Sequence, residues 1–103
     1  MARFRLTPNA REGLFRLIES VDQRFGARVA ERVLDQFAGA FDRIGETPGI
    51  GHRREDLTED DRIRFWSVGP SLIAYRIRPN APVEVLFVER GERDWESILE
   101  QQG

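Results

Sequence analysis

The sequence predicts an α+β fold with an N-terminal strand, an antiparallel two-helix hairpin, a three-stranded antiparallel meander forming one sheet, and a short C-terminal helix. Apolar residues recur at helical spacing between residues 10 and 44, and they alternate with a period of two between residues 62 and 90. The helical and strand segments are segregated along the chain, which is typical of antiparallel sheets. The length of 103 residues predicts a single domain over 1–103.

The N-terminal half predicts one strand and two helices. Residues 3–6 alternate Arg with apolar side chains, and Thr7-Pro8 is a typical helix start, because Thr caps and Pro loses no hydrogen bond there. Gly26 ends the first helix, and Gly45 with Pro48 ends the second. The two apolar stripes consist of Ala10, Leu14, Leu17, Ile18, Val21 and Phe25, and of Ala30, Val33, Leu34, Phe37, Phe41 and Ile44. Since a single turn separates them, we expect an antiparallel hairpin.

The C-terminal half predicts three strands and a short helix. Residues 47–61 are expected to form a loop, and Gly69-Pro70 and Asn80-Ala81-Pro82 mark turns between strands. The predicted strands are Arg62–Val68, Leu72–Arg78 and Val83–Arg90. The terminal helix is predicted over Asp94–Gln102, with Trp95, Ile98 and Leu99 on one side.

Both faces of the predicted sheet carry apolar side chains, although a helical hairpin covers only one face. The first strand sets Arg64 and Trp66 against Phe65. The last strand is expected to set Val83, Val85 and Phe87 against Leu86 and Val88. The second face therefore predicts a protein-binding surface, since exposed aromatic and Arg side chains are enriched at interfaces. The alternative is that Trp95, Ile98 and Leu99 of the terminal helix cover this face and complete the core.

The composition points to binding rather than catalysis. All 16 basic residues are Arg, and the chain has no Cys, one His and one Tyr. This excludes disulfides, Cys-based metal sites and a lysine nucleophile or base, and we expect no cofactor and no metal. The formal net charge of -2 argues against a strongly basic nucleic-acid binder. With no apolar run long enough to span a membrane and no signal-peptide pattern, we expect a cytoplasmic protein.

The charges are unevenly distributed along the chain. Residues 53–61 hold two Arg and five acidic residues, whereas residues 62–78 hold four Arg and no acidic residue. Such a basic strip predicts contact with phosphates or with an acidic protein segment. The alternative is that Arg62, Arg64, Arg76 and Arg78 pair with the acidic loop and the Glu-rich C-terminus.

Six short segments also occur in an order that is familiar from a known family. They are Leu6-Thr7-Pro8-Asn9-Ala10, Pro48-Gly49-Ile50-Gly51-His52-Arg53 with Asp56-Leu57, Arg64-Phe65-Trp66-Ser67-Val68-Gly69, Leu72-Ile73-Ala74-Tyr75-Arg76, Val85-Leu86-Phe87-Val88 and Gly91-Glu92-Arg93-Asp94-Trp95. Together they resemble the ParE branch of the RelE/ParE toxin superfamily of type II toxin–antitoxin systems, over nearly the whole chain. One departure is Arg90, at a position where the family often has His.

This resemblance implies a toxin that poisons DNA gyrase and that a cognate ParD-like antitoxin neutralises with a disordered tail. It implies no sequence-specific nucleic-acid binding by this chain alone and no membrane partner. The residues expected to bind the antitoxin are Arg64, Trp66, Ile73, Tyr75 and Arg76. Those expected to contact the target are Arg90, Arg93, Asp94 and Trp95. For Arg93 and Asp94 the alternative to target contact is a local ion pair that holds the terminal helix.

Two other functions remain open within the superfamily. One is a ribosome-dependent mRNA endonuclease of the RelE type, and the other is an inactive homologue that acts only as an antitoxin partner. A nuclease needs a general acid and a general base, and this chain offers His52 in a loop, Tyr75 in a strand, and Glu89 or Glu92, which are expected to be solvated. We therefore predict no catalytic residues, a loop role for His52 and a packing or partner-facing role for Tyr75.

Overall fold

The computed structural model describes residues 3–100 and has the predicted α+β architecture. Its elements are β1 (Phe4–Leu6), α1 (Pro8–Phe25), α2 (Ala27–Glu46), β2 (Ile63–Val68), β3 (Ser71–Arg76), β4 (Val83–Arg90) and α3 (Trp95–Glu100). A 3-10 turn at Pro48–Ile50 lies in the predicted loop. The predicted helices and strands are confirmed with small shifts at their ends, and residues 101–102 of the predicted terminal helix lie outside the described residues.

The helical hairpin begins and turns where the sequence predicts. Thr7 caps α1, since its hydroxyl accepts a hydrogen bond from the Ala10 amide at 3.1 Å and donates one to the Leu86 carbonyl at 2.8 Å. Gly26 separates the helices with a φ of 93°, a conformation that favours glycine. The cap therefore also ties the start of α1 to the sheet.

The four strands form one sheet in the order β1-β4-β3-β2. β2, β3 and β4 form the predicted antiparallel meander, whereas β1 pairs with β4 in parallel. The prediction of an antiparallel sheet is therefore wrong at this edge. The hairpin carries the chain to the far edge, and the meander then returns so that its last strand runs beside β1 in the same direction.

A β-bulge shifts the side chains of β4 between the two faces of the sheet. Ala74 pairs with Phe87 and Tyr75 pairs with Val85, so Leu86 is an extra residue in β4. Val85 and Val88 consequently face the helices, while Leu86 and Phe87 face the other side. The simple alternation predicted for this strand, with Phe87 beside Val85, is wrong because of the bulge.

Both faces of the sheet are covered. On one face, Phe37, Phe41 and Ile44 of α2 pack with Ile73 and Tyr75 of β3. On the other face, the α3 residues Trp95, Ile98 and Leu99 are buried in a second cluster with Ile63, Phe65, Leu72, Ala74, Leu86 and Phe87. The hypothesis of a partner-binding second face is wrong for this apolar area, and the alternative of a covering terminal helix is confirmed.

Candidate functional site

The residues predicted to bind an antitoxin lie on two faces of the sheet. Arg64 pairs across the strands with Tyr75, and Trp66 pairs with Ile73, so these four share the helix-facing side. Arg76 is opposite Ile63 and lies on the other side. Ile73 and Tyr75 are fully buried, which leaves Arg64 and Trp66 as the partly exposed residues on the helix-facing side, while Arg76 is partly exposed on the other side.

The loop before β2 closes part of the sheet edge. His52 and Phe65 exchange two backbone hydrogen bonds of 2.8 Å each, and this isolated bridge lies on the outer side of β2. The bridge brings the exposed His52 beside Trp66, with ring centroids 6.1 Å apart and planes within 16°. His52 is therefore the loop residue that was predicted, and its ring also packs on an aromatic neighbour.

Arg43 of α2 also contacts the Trp66 ring. Its guanidinium carbon lies 5.8 Å from the Trp66 ring centroid, a cation–π contact. We call Arg43, His52, Arg64 and Trp66 the β2 edge surface. Arg43 could not be singled out from the sequence, because it is one of several Arg residues on the polar side of an amphipathic helix.

Tyr75 holds the loop of the β2 edge surface in place through its hydroxyl. Its hydroxyl donates to the Pro48 carbonyl at 2.6 Å and accepts from the Gly51 amide at 2.8 Å. Burial raises the pKa of this hydroxyl, while the Gly51 amide and the Arg64 charge act in the opposite direction. A Cβ at Gly51 would collide with the hydroxyl. Tyr75 thus has the predicted packing role and fixes the loop that carries His52.

Arg64 is the unsatisfied group of the β2 edge surface. Within residues 3–100 no carboxylate forms an ion pair with it, and its buried Nε has no hydrogen-bond partner. A buried donor without an acceptor costs about 1–3 kcal/mol. An incoming carboxylate would neutralise the guanidinium charge.

The remaining Arg residues of the basic strip behave differently from one another. Arg62 forms two hydrogen bonds with Asp60, and Arg76 forms an ion pair with Glu84 at 3.2 Å and approaches Asp60 at 3.8 Å. Pairing with nearby acidic residues is therefore confirmed for Arg62 and Arg76, but within residues 3–100 it is wrong for Arg64 and Arg78. The Arg62 hydrogen bond is the main reason why the pKa of Asp60 lies below its usual value.

The residues predicted to contact the target surround Gly91. Arg90 pairs with Glu92 at 2.8 Å, and both side chains are exposed. Trp95 is buried, packs edge-on against Phe65 with centroids 6.1 Å apart, and donates from Nε1 to the Arg90 carbonyl at 3.1 Å. The exposed members of this group are therefore Arg90, Arg93 and Asp94.

The predicted Arg93–Asp94 ion pair is wrong. Arg93 pairs instead with Glu89 at 3.2 Å, and Asp94 accepts hydrogen bonds from the Ser97 amide and hydroxyl at the start of α3. Asp94 therefore acts as a helix cap rather than as a partner of Arg93.

Glu89 has a role that the sequence did not indicate. It is buried, and it forms ion pairs with Arg93 and, at 3.5 Å, with Arg16 of α1. The expectation that Glu89 is solvated is therefore wrong. Gly13 permits the close approach of α1 to β4 that brings Arg16 to Glu89, because a Cβ at residue 13 would collide with the Val88 carbonyl.

An apolar groove of about 230 Å³ lies between the hairpin and the β2–β3 turn. Its lining includes Leu17, Val21, Phe25, Val33, Val68 and Pro70, and we call it the hairpin groove. Val68 and Trp66 are two residues apart in β2 and share a face, so the groove leads to the β2 edge surface. Phe25 is 64% exposed although it is a large apolar residue.

Comparisons with known proteins identify the family and the fold of the chain. The model of the family described as ParE toxin of type II toxin–antitoxin system, parDE, matches residues 4–95. Among solved structures, the chain is similar to the chromosomal ParDE toxin–antitoxin system from P. aeruginosa, with a TM-score of 0.72 and 16% identity, over 89% of this chain and 98% of that chain. At this identity the likeness shows a shared fold. A search of the curated proteins found no match.

None of the helices within residues 3–100 is long and apolar enough to cross a membrane. Within the same range, no group of three or more His, Cys, Asp or Glu residues is placed to hold a metal ion.

Proposed function

Because the chain belongs to the ParE toxin family of type II toxin–antitoxin systems, we propose that it is a cytoplasmic toxin that a cognate ParD-like antitoxin neutralises and that acts on DNA gyrase. The proposal is one of protein binding, with no catalytic residue in this chain. The observation that carries the antitoxin part is Arg64, a partly buried guanidinium without a carboxylate partner within residues 3–100.

The antitoxin tail is proposed to lie along the hairpin groove and across the β2 edge surface. The groove offers apolar contacts to one side of an amphipathic segment, and Trp66 continues that apolar path along β2. At the end of this apolar path, Arg64 donates hydrogen bonds to a Glu or Asp side chain of the tail. A disordered tail loses conformational entropy on binding, so such charge-assisted hydrogen bonds offset part of that cost.

The test of the antitoxin site is a titration of the full-length toxin with the tail of its antitoxin. Arg64→Gln removes the charge, and Trp66→Ala removes the stacked ring. A hydrogen bond to a charged group contributes about 1.5–3 kcal/mol, so Arg64→Gln is expected to weaken binding roughly 10- to 150-fold. Trp66→Ala is also expected to weaken binding, because the tail loses the apolar surface of the ring. Arg28→Gln is the matched control, because Arg28 is exposed on α2 and its side chain forms no hydrogen bond or ion pair with residues 3–100. An affinity of Arg64→Gln equal to that of the control would refute this site.

The target-binding part of the proposal places gyrase contact at the exposed side chains beside Gly91. Arg90 and Arg93 present guanidinium groups there, while Asp94 and Trp95 hold the segment against the sheet. The experiment is a gyrase supercoiling and DNA-cleavage assay with wild type and Arg90→Ala, beside an assay of ribosome-bound mRNA cleavage. Inhibition of gyrase that Arg90→Ala reduces supports the proposal. Cleavage of mRNA with unaffected gyrase would overturn it.

The geometry does not favour the nuclease alternative. A general base must reach the 2′-hydroxyl of its substrate, but Glu89 is buried between Arg16 and Arg93. The Tyr75 hydroxyl is buried and already bonded to two backbone groups. Neither group is available to transfer a proton to a bound RNA in this conformation.

A further inference from the structure

A second cluster of Arg side chains lies at the opposite end of the sheet from Gly91. A cavity of about 480 Å³ lies there. Its lining includes Glu84 and four Arg residues, which are Arg5 of β1, Arg62 before β2, Arg76 at the end of β3, and Arg78 two residues later. We call it the Arg cavity. Arg5 and Arg76 both pair with Glu84 across the strands, on the sheet face away from the hairpin. The cavity is therefore distinct from the β2 edge surface and from the hairpin groove.

Two carboxylates hold these guanidinium groups in place. Glu84 binds Arg5 through one oxygen at 3.0 Å and Arg76 through the other at 3.2 Å. Asp60 binds Arg62 at 3.0 Å and lies 3.8 Å from Arg76. Each carboxylate is thus shared between two Arg residues from different parts of the sheet, and a guanidinium group has five N–H donors, more than these contacts use.

The charges of the Arg cavity do not balance. Within residues 3–100, four guanidinium groups face the two carboxylates of Glu84 and Asp60, which is an excess of positive charge. The Arg78 side chain forms no ion pair or hydrogen bond with residues 3–100 and is exposed. A phosphate monoester carries about −1.5 to −2 charge at pH 7 and offers three strong acceptor oxygens, so it matches both the excess charge and the donors.

We propose that the Arg cavity is a binding site for a terminal phosphate group, either the free anion or a monoester. Arg78 would supply the contact that has no internal partner, and Arg5 would turn one N–H toward the phosphate while Arg76 keeps Glu84. Guanidinium groups suit phosphate because their planar fork matches two of its oxygens. The ligand group is either a free phosphate or the 5′-phosphate at a DNA end, and both offer this same chemistry.

The experiment is an NMR titration of the full chain with inorganic phosphate in a phosphate-free buffer, with the Arg side-chain N–H signals as the readout. The double variant Arg5→Gln/Arg78→Gln is expected to bind phosphate at least about tenfold more weakly than wild type, since two charge-assisted contacts are lost. The matched control is Arg28→Gln/Arg32→Gln, which has the same net charge and changes two exposed Arg residues of α2. Absence of saturable binding, or an equal loss in the control, overturns the proposal.

Two further arms identify the source of the phosphate. A short DNA duplex with 5′-phosphates is compared with the same duplex with 5′-hydroxyls. Tighter binding of the phosphorylated duplex, dependent on Arg78, assigns the cavity to DNA ends, whereas equal binding of both duplexes with retained phosphate binding assigns it to the free anion. A Glu-rich peptide is the third ligand, and its Arg78-dependent binding without any phosphate binding would refute the proposal.

Discussion

Removal of one oxygen atom, in Tyr75→Phe, tests how the loop that carries His52 is held. The substitution keeps the buried ring but leaves the Gly51 amide and the Pro48 carbonyl without their partner. An unsatisfied buried group costs about 1–3 kcal/mol. Pro48 is only partly buried and can turn to water, so most of the cost comes from the buried Gly51. We expect a loss of about 2 kcal/mol in the free energy of unfolding.

The assay for Tyr75→Phe is urea unfolding followed by circular dichroism. A loss of about 2 kcal/mol corresponds to a decrease in Tm of roughly 8–16 °C for a domain of this size. Hydrogen exchange is expected to accelerate at the Gly51 amide, because that amide loses its acceptor. Ser67→Ala, which removes a hydroxyl from an exposed strand position, is the control. A change in stability below about 0.5 kcal/mol with unchanged exchange at Gly51 would refute the reasoning.

The same variant has a signature at high pH. Burial raises the pKa of Tyr75 above its ordinary value of 10.0, so the folded state holds this proton more tightly than the unfolded state. Its contribution to stability is therefore complete below pH 10.0 and is lost as the pH rises through the folded-state pKa. Wild type is expected to lose stability in this range more steeply than Tyr75→Phe, and parallel pH profiles would contradict the assignment.

Three other predictions concern the core and the ion pairs. Glu89→Gln leaves Arg16 and Arg93 without their shared carboxylate and is expected to destabilise the fold by about 1–3 kcal/mol, whereas Glu92→Gln, at an exposed pair, should change urea stability by less than about 0.5 kcal/mol. Gly13→Ala is expected to destabilise the fold, because its Cβ meets the Val88 carbonyl. The control Gly39→Ala lies in open space on α2 and should stabilise the fold by about 0.5–1 kcal/mol. Similar effects of both variants in thermal unfolding would contradict the close approach of α1 to β4. The pKa of the Asp60 carboxyl is lowered, so the stabilisation from this carboxylate is present above pH 3.8 and is lost as the pH falls through the folded-state pKa. Asp60→Asn should flatten this part of an acid-unfolding profile, and an unchanged profile would contradict the role of Asp60.

The features that the sequence predicted are local ones. Thr7, Pro8 and Gly26 act within a few residues of their own positions, so helix starts and turns could be inferred directly. The parallel pairing of β1 with β4 depends on contacts between chain ends and has no local signal. The bulge at Leu86 is likewise a property of two strands together. Each error in the predicted sheet is thus an error about residues far apart in sequence.

In the candidate site, too, local features could be predicted from the sequence and tertiary contacts could not. Arg64 and Trp66 could be placed on one face from strand alternation alone, and the structure places them there. The partner of Arg93 could not be predicted, because Glu89 and Asp94 are both close in sequence and only the path of the chain around Gly91 decides between them. Arg43 joins Trp66 through the packing of α2 against the sheet, a tertiary contact with no sequence pattern.

The parallel pairing of β1 with β4 also has a consequence for how the chain folds during synthesis. Arg5 and Glu84, which meet in this pairing, are 79 residues apart. Closing a loop of that length costs about 4 kcal/mol from the length-dependent entropy alone. β1 cannot join the sheet until β4 has emerged from the ribosome, although the hairpin can form earlier from local contacts. A growing chain that has reached only β3 therefore has no complete sheet, and the order of synthesis delays the assembled surface until β4 is made.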